Sequence, residues 1–232
     1  YSIINELNTV DKNIITVEDP VEYLIDGLTQ IQVRPDIGLT FASGLKAILR
    51  QSPDVVMVGE IRDGETADIA IKASLTGQLV FSTLHTNDAP GSLTRLVDMG
   101  VEPFLVASSL VMVCAQRLCR KICPHCKAPE EIPRAILAEH HCPVEAGKVF
   151  YKGRGCDYCR QTGYYGRTGI TEVMEIDENI REMLITGKSS DEIKGYARQK
   201  RHMVTLWEDA VHKFSSGETT FDEILRVTAK DL

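Results

Sequence analysis

The chain has 232 residues, 43% of them hydrophobic and 25% charged, enough to bury at least one sizeable core with an appended module. Its formal net charge of -7 argues against broad, sequence-independent binding to a phosphate backbone, so nucleic acid is not an expected partner. The longest apolar run, residues 101–115, is interrupted by Glu102, Ser108 and Ser109. It falls short of the roughly 20 residues that cross a bilayer, which excludes a membrane span there and, with the composition, predicts a soluble intracellular protein.

Residues 1–7 lack the basic region and apolar core of a secretory leader and read as a helix in mid-course. Residues 13–17 form a short β-branched run, residues 31–33 are a second candidate, and residues 55–58 and 79–82 are stronger strands. Between them, Phe41, Leu45, Ile48 and Leu49 recur at helical spacing over residues 41–50. Ile69, Ala70 and Ala73 do so over residues 65–75, with Gly77 as a stop. This alternation predicts an α/β structure around a mostly parallel sheet. The run 101–115 reads as a buried helix with Pro103 in its first turn.

The character changes after Arg117. Cysteines, prolines, glycines and mixed charges dominate residues 119–166, which predicts a small module held together by something other than a large core. A strand at residues 170–173 then leads into helices, including 179–186 and 205–214. Ser189 with Glu192, Thr205 with Glu208, and Thr220 with Glu223 each show the S/T-x-x-E spacing of a capping box. Trp207 is expected in the core. The division predicted is 1–116 for the α/β core, 117–168 for the cysteine module and 169–232 for a C-terminal helical subdomain.

Three segments end strands in reactive side chains. Residues 16–22 set Glu18, Asp19 and Glu22 where the first strand meets a loop, and Pro20 disfavours a helical backbone at Asp19. A solvated acidic loop would explain them too, but the C-terminal edge of a parallel sheet favours a site. In residues 49–63 the run Val55–Val58 implies a strand covered on both faces, Gly59 permits a close approach and Glu60 emerges at the edge. The alternative is that Glu60 and Asp63 merely cap the next helix. Residues 79–88 repeat the pattern, with His85 among Ser82, Thr83, Thr86, Asn87 and Asp88, which favours phosphate sensing over a structural histidine.

Seven cysteines, an odd number, fit metal binding or free thiols better than a disulfide framework. Cys123-Pro-His-Cys126 and Cys156-Asp-Tyr-Cys159 are two C-x-x-C knuckles whose four thiolates can converge on zinc. A redox pair is the alternative. Cys114 and Cys119 read as residues on or near the preceding helix, Cys142 as an unpaired thiol, and His125 as a substitute ligand that four cysteines make unnecessary. The glycines of residues 163–169 read as turn chemistry rather than a phosphate loop.

Taken in order, the segments 16–22, L-R-x-x-P-D-(apolar)-G-E-(apolar)-R-D and S-T-L-H-T-N resemble the Asp box, Walker B and His box of secretion and type IV pilus ATPases, the hexameric motors called GspE and PilB. The resemblance covers essentially the whole chain and implies a RecA-like P-loop NTPase core. It implies ATP and magnesium as ligands, with Glu22 as the base or water-positioning group and Glu60 supporting magnesium and the attacking water. Asp19 would organise the magnesium side and His85 would report on the γ-phosphate. Arg34, Arg50 and Arg62 are the arginines available to contribute charge to a neighbouring site, and none is assigned.

Two departures accompany the resemblance. Gln78 stands where the His box usually begins with a histidine, and no G-x-x-x-x-G-K-[ST] occurs anywhere, so the core is incomplete. Residues 1–7 resemble the helix that follows the phosphate loop, which predicts a C-terminal part of a longer protein that alone hydrolyses little ATP.

The implied function is an ATPase motor subunit driving pseudopilus or type IV pilus assembly. Identical subunits and an inner-membrane platform protein would be its partners, at the cytoplasmic face. The tetracysteine module, which some members of the family carry at this location, argues against the retraction ATPases. The alternative is a nonhydrolytic zinc-bearing assembly or regulatory module.

Overall fold

The first β-branched run becomes the centre of a sheet because every one of its side chains finds apolar cover. In the computed structural model, which describes residues 1–143 and 147–228, β1 (Ile14–Glu18) is buried at all its positions. It pairs in parallel with β2 (Thr29–Gln32) on one side and with β3 (Val55–Val58) on the other. β4 (Leu79–Ser82) joins β3 in parallel, giving the order β2-β1-β3-β4. All four strands therefore deliver their C-terminal ends to one edge, where open α/β sheets bind ligands.

Helices cover this sheet. α1 (Ser2–Leu7) places Ile4 against Ile14 and Val55. α2 (Phe41–Ile48) starts on a capping box between Thr40 and Ser43 and buries Phe41, Leu45 and Ile48. α3 (Gly64–Leu75) starts on Asp63, whose carboxylate accepts from the Thr66 N–H at 2.8 Å, and buries Ala67, Ala70 and Ile71. α4 (Ala89–Asp98) and α5 (Pro103–Ser109) follow, α5 having proline in its first turn and packing on α3.

The helix expected over 101–115 stops at Ser109. Leu110 is already extended at φ -79, ψ 134, and Met112 opens β5 (Met112–Ile122). The run 112–120 alternates between exposed and more buried positions, the period-2 signature that its continuous apolarity concealed. Cys114 and Cys119 accordingly lie on a strand, not a helix, and they point to opposite fates: Cys114 is exposed and Cys119 buried.

Residues 119–166 are also more regular than their composition suggests. β5 pairs antiparallel with a long strand, and between the two lie a hairpin of β6 (Lys127–Glu130) with β7 (Phe150–Gly153) and the short α6 (Arg134–Glu139). The long strand is β8 (Tyr164–Glu175), which absorbs most of the stretch read as a glycine turn; its register with β5 slips between Arg120 and Ile122. Then come α7 (Glu178–Ile185), α8 (Ser190–Arg201), α9 (Leu206–Ser215) and α10 (Phe221–Thr228).

The chain forms two compact units. The first comprises Tyr1–Thr86, Gly91–Val111 and Ile176–Ile193; the second comprises Asn87–Pro90, Met112–Glu175 and the chain from Lys194 onward. The expected boundaries at 116/117 and 168/169 fall inside β5 and β8. The core of the second unit gathers Cys119, Phe150, Ile170, Leu206, Phe214 and Ile224, with Trp207 packed against it and the rings of Phe150 and Phe214 stacked at 4.6 Å. Cys142 is buried in the same core.

Candidate functional site

The C-terminal edge of the four-stranded sheet collects carboxylates. Glu18 closes β1 with its side chain turned inward, 3% exposed, where it accepts from Thr16 Oγ1 at 2.6 Å, Gln30 Nε2 at 3.1 Å and the Tyr1 hydroxyl. The chain then turns through a cis Asp19–Pro20 bond. Asp19, Glu22 and Glu60, together with Glu18, Phe41 and Met57, line one cavity of about 310 Å³. Residues 18–22 and 57–60, far apart in sequence, thus converge because β1 and β3 are parallel neighbours.

Gly59 is what lets β3 come so close. A Cβ there would lie 3.3 Å from both Glu18 Cα and Val17 O, tighter than ordinary packing. Its N–H donates to Val17 O at 2.8 Å and its carbonyl accepts from Thr83 Oγ1 at 2.7 Å, so the three strand ends are tied in series. Glu60 follows directly. Its carboxylate accepts from Arg62 Nη2 at 2.5 Å and meets His85 Nε2 at 3.0 Å, while Arg62 Nη1 reaches Asp19 at 3.3 Å.

These contacts fix the charge state. The Arg62 guanidinium, opposed by partial burial and assisted by His85, holds the Glu60 carboxyl below its usual range. Glu60 is therefore an anion at neutral pH, fitted to accept a proton or ligate a cation but not to donate. Hard divalent ions take oxygen ligands, which Asp19 and Glu60 supply; in this structure Arg62 bridges the two and stands where such charge would be neutralised. The His85 side chain is 86% exposed, so apart from Glu60 it faces solvent.

Asp63, weighed as part of the site, is instead the cap of α3. Glu60 is not a cap. Arg34 pairs with Asp36 at 3.6 Å, and Arg50 lies in the turn Leu49–Gln51 before β3, at the opposite edge of the sheet. Gln78 is at that opposite edge as well, accepting from Thr76 Oγ1 at 2.8 Å. Sequence reasoning named Glu18 without a role; its hydrogen bond to Thr16 joins two residues on one face of β1, and its bond to Gln30 follows from the pairing of β1 with β2, which strand patterns do not specify.

The second site lies in the other unit. The sulfurs of Cys123, Cys126, Cys156 and Cys159 all fall within 4.8 Å of one another. Cys123 to Cys156 and Cys126 to Cys159 are each 3.9 Å, and Cys156 to Cys159 is 3.7 Å. A tetrahedral zinc with bonds of about 2.3 Å separates its sulfurs by about 3.8 Å, whereas a disulfide requires about 2.05 Å. The spacing is that of four thiolates around a shared metal. The N–H groups of Cys156 and Gly163 point at Cys159 Sγ, at 3.3 and 3.2 Å, as they would toward a thiolate.

His125 lies outside this shell and packs tilted against Tyr158, their ring centroids 4.1 Å apart. The two knuckles are brought together by the close backbone approach of Gly153 to Gly163, where a Cβ on Gly153 would sit 1.9 Å from Gly163 O.

The sequence as a whole points the same way. Residues 1–226 match the profile of the type II/IV secretion system protein family. The chain belongs to that family. It is 51% identical over 233 residues to the type IV pilus assembly ATPase PilB of Thermus thermophilus, covering 98% of this chain and 26% of that protein. It is 49% identical over 236 residues to type II secretion system protein E of Dickeya dadantii, covering 100% of this chain and 46% of the relative. The chain thus spans about half or less of these relatives. Among solved structures, the pilus retraction motor PilT with bound ADP superposes with a TM-score of 0.70 at 25% identity, over 100% of this chain and 57% of that one. The ATPase DotB of Legionella pneumophila, at 24% identity and a TM-score of 0.69, shares the fold. The expected α/β fold of the P-loop NTPase type is the one found.

Proposed function

We propose that this chain supplies the carboxylate and sensor side of a nucleotide site in an ATP-hydrolysing motor for pseudopilus or type IV pilus assembly. The observation that carries the reading is the ionised Glu60 at the C-terminal edge of a parallel sheet, beside Asp19 and Glu22 and 3.0 Å from His85. Relatives named as a pilus assembly ATPase and a retraction motor with bound ADP support it.

In this reading Asp19 and Glu60 hold a magnesium ion, which when bound neutralises phosphate charge. Arg62, which bridges the two carboxylates, would have to release them for both to hold such an ion. Glu22 or Glu60 orients and deprotonates the attacking water, a contribution of roughly 10²- to 10⁴-fold. His85, held by Glu60, meets the γ-phosphate. The four cysteines bind zinc, which fixes the fold of the module between β5 and β8.

The partners in this reading are identical subunits of a hexameric ring and an inner-membrane platform protein on its cytoplasmic face. Among the described residues no helix is long and apolar enough to cross a membrane.

The test compares the isolated chain with a longer protein that also carries a G-x-x-x-x-G-K-[ST] loop ahead of residue 1. The isolated chain is expected to bind ATP poorly and hydrolyse little. The longer protein is expected to turn over ATP and to lose roughly 10²-fold or more of kcat on Glu60→Gln. Robust hydrolysis by the isolated chain, abolished by Glu60→Gln, would overturn the division of the site; insensitivity of the longer protein to Glu60→Gln would overturn the role of Glu60.

A further inference from the structure

Glu18 is a buried carboxylate that neither the metal ion nor the attacking water of the nucleotide-site reading calls on, and it lies one residue before Asp19. Thr16 and Glu18 share a face of β1, and the parallel register sets Gln30 of β2 beside Thr16, so three polar side chains meet near the end of the strand. One carboxylate oxygen, Oε1, accepts from Thr16 Oγ1 at 2.6 Å and from Gln30 Nε2 at 3.1 Å. The other, Oε2, accepts from the hydroxyl of Tyr1, the residue that opens α1. A carboxylate only 3% exposed is tolerated where donors converge on it, and here three do.

Two of those donors also hold the loop that carries Glu22. The Tyr1 hydroxyl accepts from the Glu22 N–H at 3.2 Å, and the Tyr1 ring meets Tyr23 edge-on with centroids 4.5 Å apart. The Gln30 amide donates from Nε2 to the Tyr23 carbonyl at 3.2 Å and accepts at Oε1 from the Ile25 N–H at 2.8 Å. Nε2 carries two hydrogens, so its bonds to Glu18 and Tyr23 coexist. Backbone groups of Glu22, Tyr23 and Ile25 are thus gripped by two side chains, and both side chains are tied to the same buried carboxylate. The grips are exposed or half-buried, where water competes for each backbone group. A side chain already fixed at its inner end loses little further freedom in making them, which favours the grip over water.

We propose that Glu18, Tyr1 and Gln30 form a positioning network, anchored on the buried carboxylate, that fixes the Glu22-bearing loop against the cavity Glu22 shares with Asp19 and Glu60. Its consequence for turnover rests on the nucleotide-site reading above; the network itself does not. Every contact of the network lies within residues 1–30, inside the first unit, and the three side chains act on Glu22 through the backbone of residues 22–25.

Residue-resolved amide exchange of the 232-residue chain tests the network. Tyr1→Phe keeps the ring on Tyr23 and removes the hydroxyl; Gln30→Met keeps the length and removes the amide. Tyr1→Phe is expected to speed exchange at Glu22 by about tenfold or more, and Gln30→Met to do so at Ile25, while the amides of β1 and β3 keep their protection. Because both grips hang on one anchor, each variant is also expected to speed the other's amide by about threefold. Glu18→Gln replaces one accepting oxygen by a donor and is expected to speed both. In the longer, loop-bearing protein, Tyr1→Phe and Gln30→Met are each expected to lower kcat by roughly tenfold with KM little changed, a loss that vanishes in a Glu22→Ala background.

Unchanged exchange at Glu22 in Tyr1→Phe and at Ile25 in Gln30→Met overturns the network. Exchange that changes only at each variant's own amide overturns the shared anchor, a criterion that stands even if Glu18→Gln does not fold. Changed exchange with unchanged kcat, or a loss that multiplies independently with that of Glu22→Ala, overturns the role in turnover. If the longer protein shows no ATPase activity dependent on Glu60, the nucleotide-site reading fails, and exchange alone decides the network.

Discussion

Glu223 offers a quantitative test of how the second unit is held together. Its carboxylate is buried, with a side-chain exposure of 0%, yet it accepts from the Arg120 N–H at 2.9 Å, from the Arg120 guanidinium at 2.7 and 3.1 Å, and from Arg226 at 2.5 and 2.9 Å. Burial pushes its pKa up, but the bonds from Arg226 and Arg120 outweigh it and bring the value down to about 2 from the usual 4.5. A tenfold change in proton affinity is worth about 1.4 kcal/mol, so the interval corresponds to about 3 kcal/mol. Both arginines are about half exposed, and water screens the pair, so roughly 1–3 kcal/mol is the expected contribution.

The sign follows from the direction. A carboxyl with a lowered folded-state pKa stabilises the protein fully above its unfolded value and loses that contribution as pH falls from about 4.5 toward about 2. Glu223→Gln is therefore expected to destabilise the second unit by roughly 1–3 kcal/mol at pH 7 and by progressively less below pH 4.5. The single tryptophan, Trp207, packs against this unit's core and reports its unfolding by fluorescence in urea. A wild-type minus variant difference below about 0.3 kcal/mol at pH 7, or one that does not shrink on acidification, would refute the reasoning.

Three further outcomes are expected. Gly153→Ala forces a methyl against the Gly163 carbonyl, a backbone contact that cannot rotate away; it is expected to lower stability by about 1–3 kcal/mol or more and to reduce bound metal, measured by urea titration and elemental analysis. Purified protein is expected to carry one zinc per chain, and its removal by a chelator is expected to expose residues 119–166 to protease; undiminished protease resistance of the metal-free protein would count against a structural metal. Thr205→Ala removes the capping box of α9, in which Thr205 accepts from the Glu208 N–H at 3.2 Å and Glu208 returns a bond to the Thr205 N–H at 2.9 Å, and is expected to cost about 1 kcal/mol by the same fluorescence assay.

Of the three S/T-x-x-E spacings, two behave as capping boxes. Ser189 and Glu192 exchange bonds at 3.2 and 2.9 Å, as Thr205 and Glu208 do. Thr220 accepts from the Glu223 N–H at 3.3 Å, but the Glu223 carboxylate is drawn to Arg120 and Arg226 instead. Local spacing sets up a cap; a guanidinium arriving from a strand 103 residues away in sequence outcompetes the neighbouring amide, because a charged donor makes the stronger bond.

The sequence by itself determined the strands β1, β3 and β4, the helices between them, and the four metal-spaced cysteines, since each depends on a local pattern of apolar positions, prolines or knuckle spacing. Asp19, Glu22, Glu60 and His85 were legible for the same reason: each follows a short apolar strand within a few residues. Tertiary structure alone decided that β5 continues where a helix was expected, because only its long antiparallel pairing with β8 makes an extended backbone favourable for residues 112–122. It alone also decided the buried partners of Glu18 and Glu223. A carboxylate is tolerated inside a protein only where donors converge on it, and those donors come from elements whose neighbours no local pattern specifies.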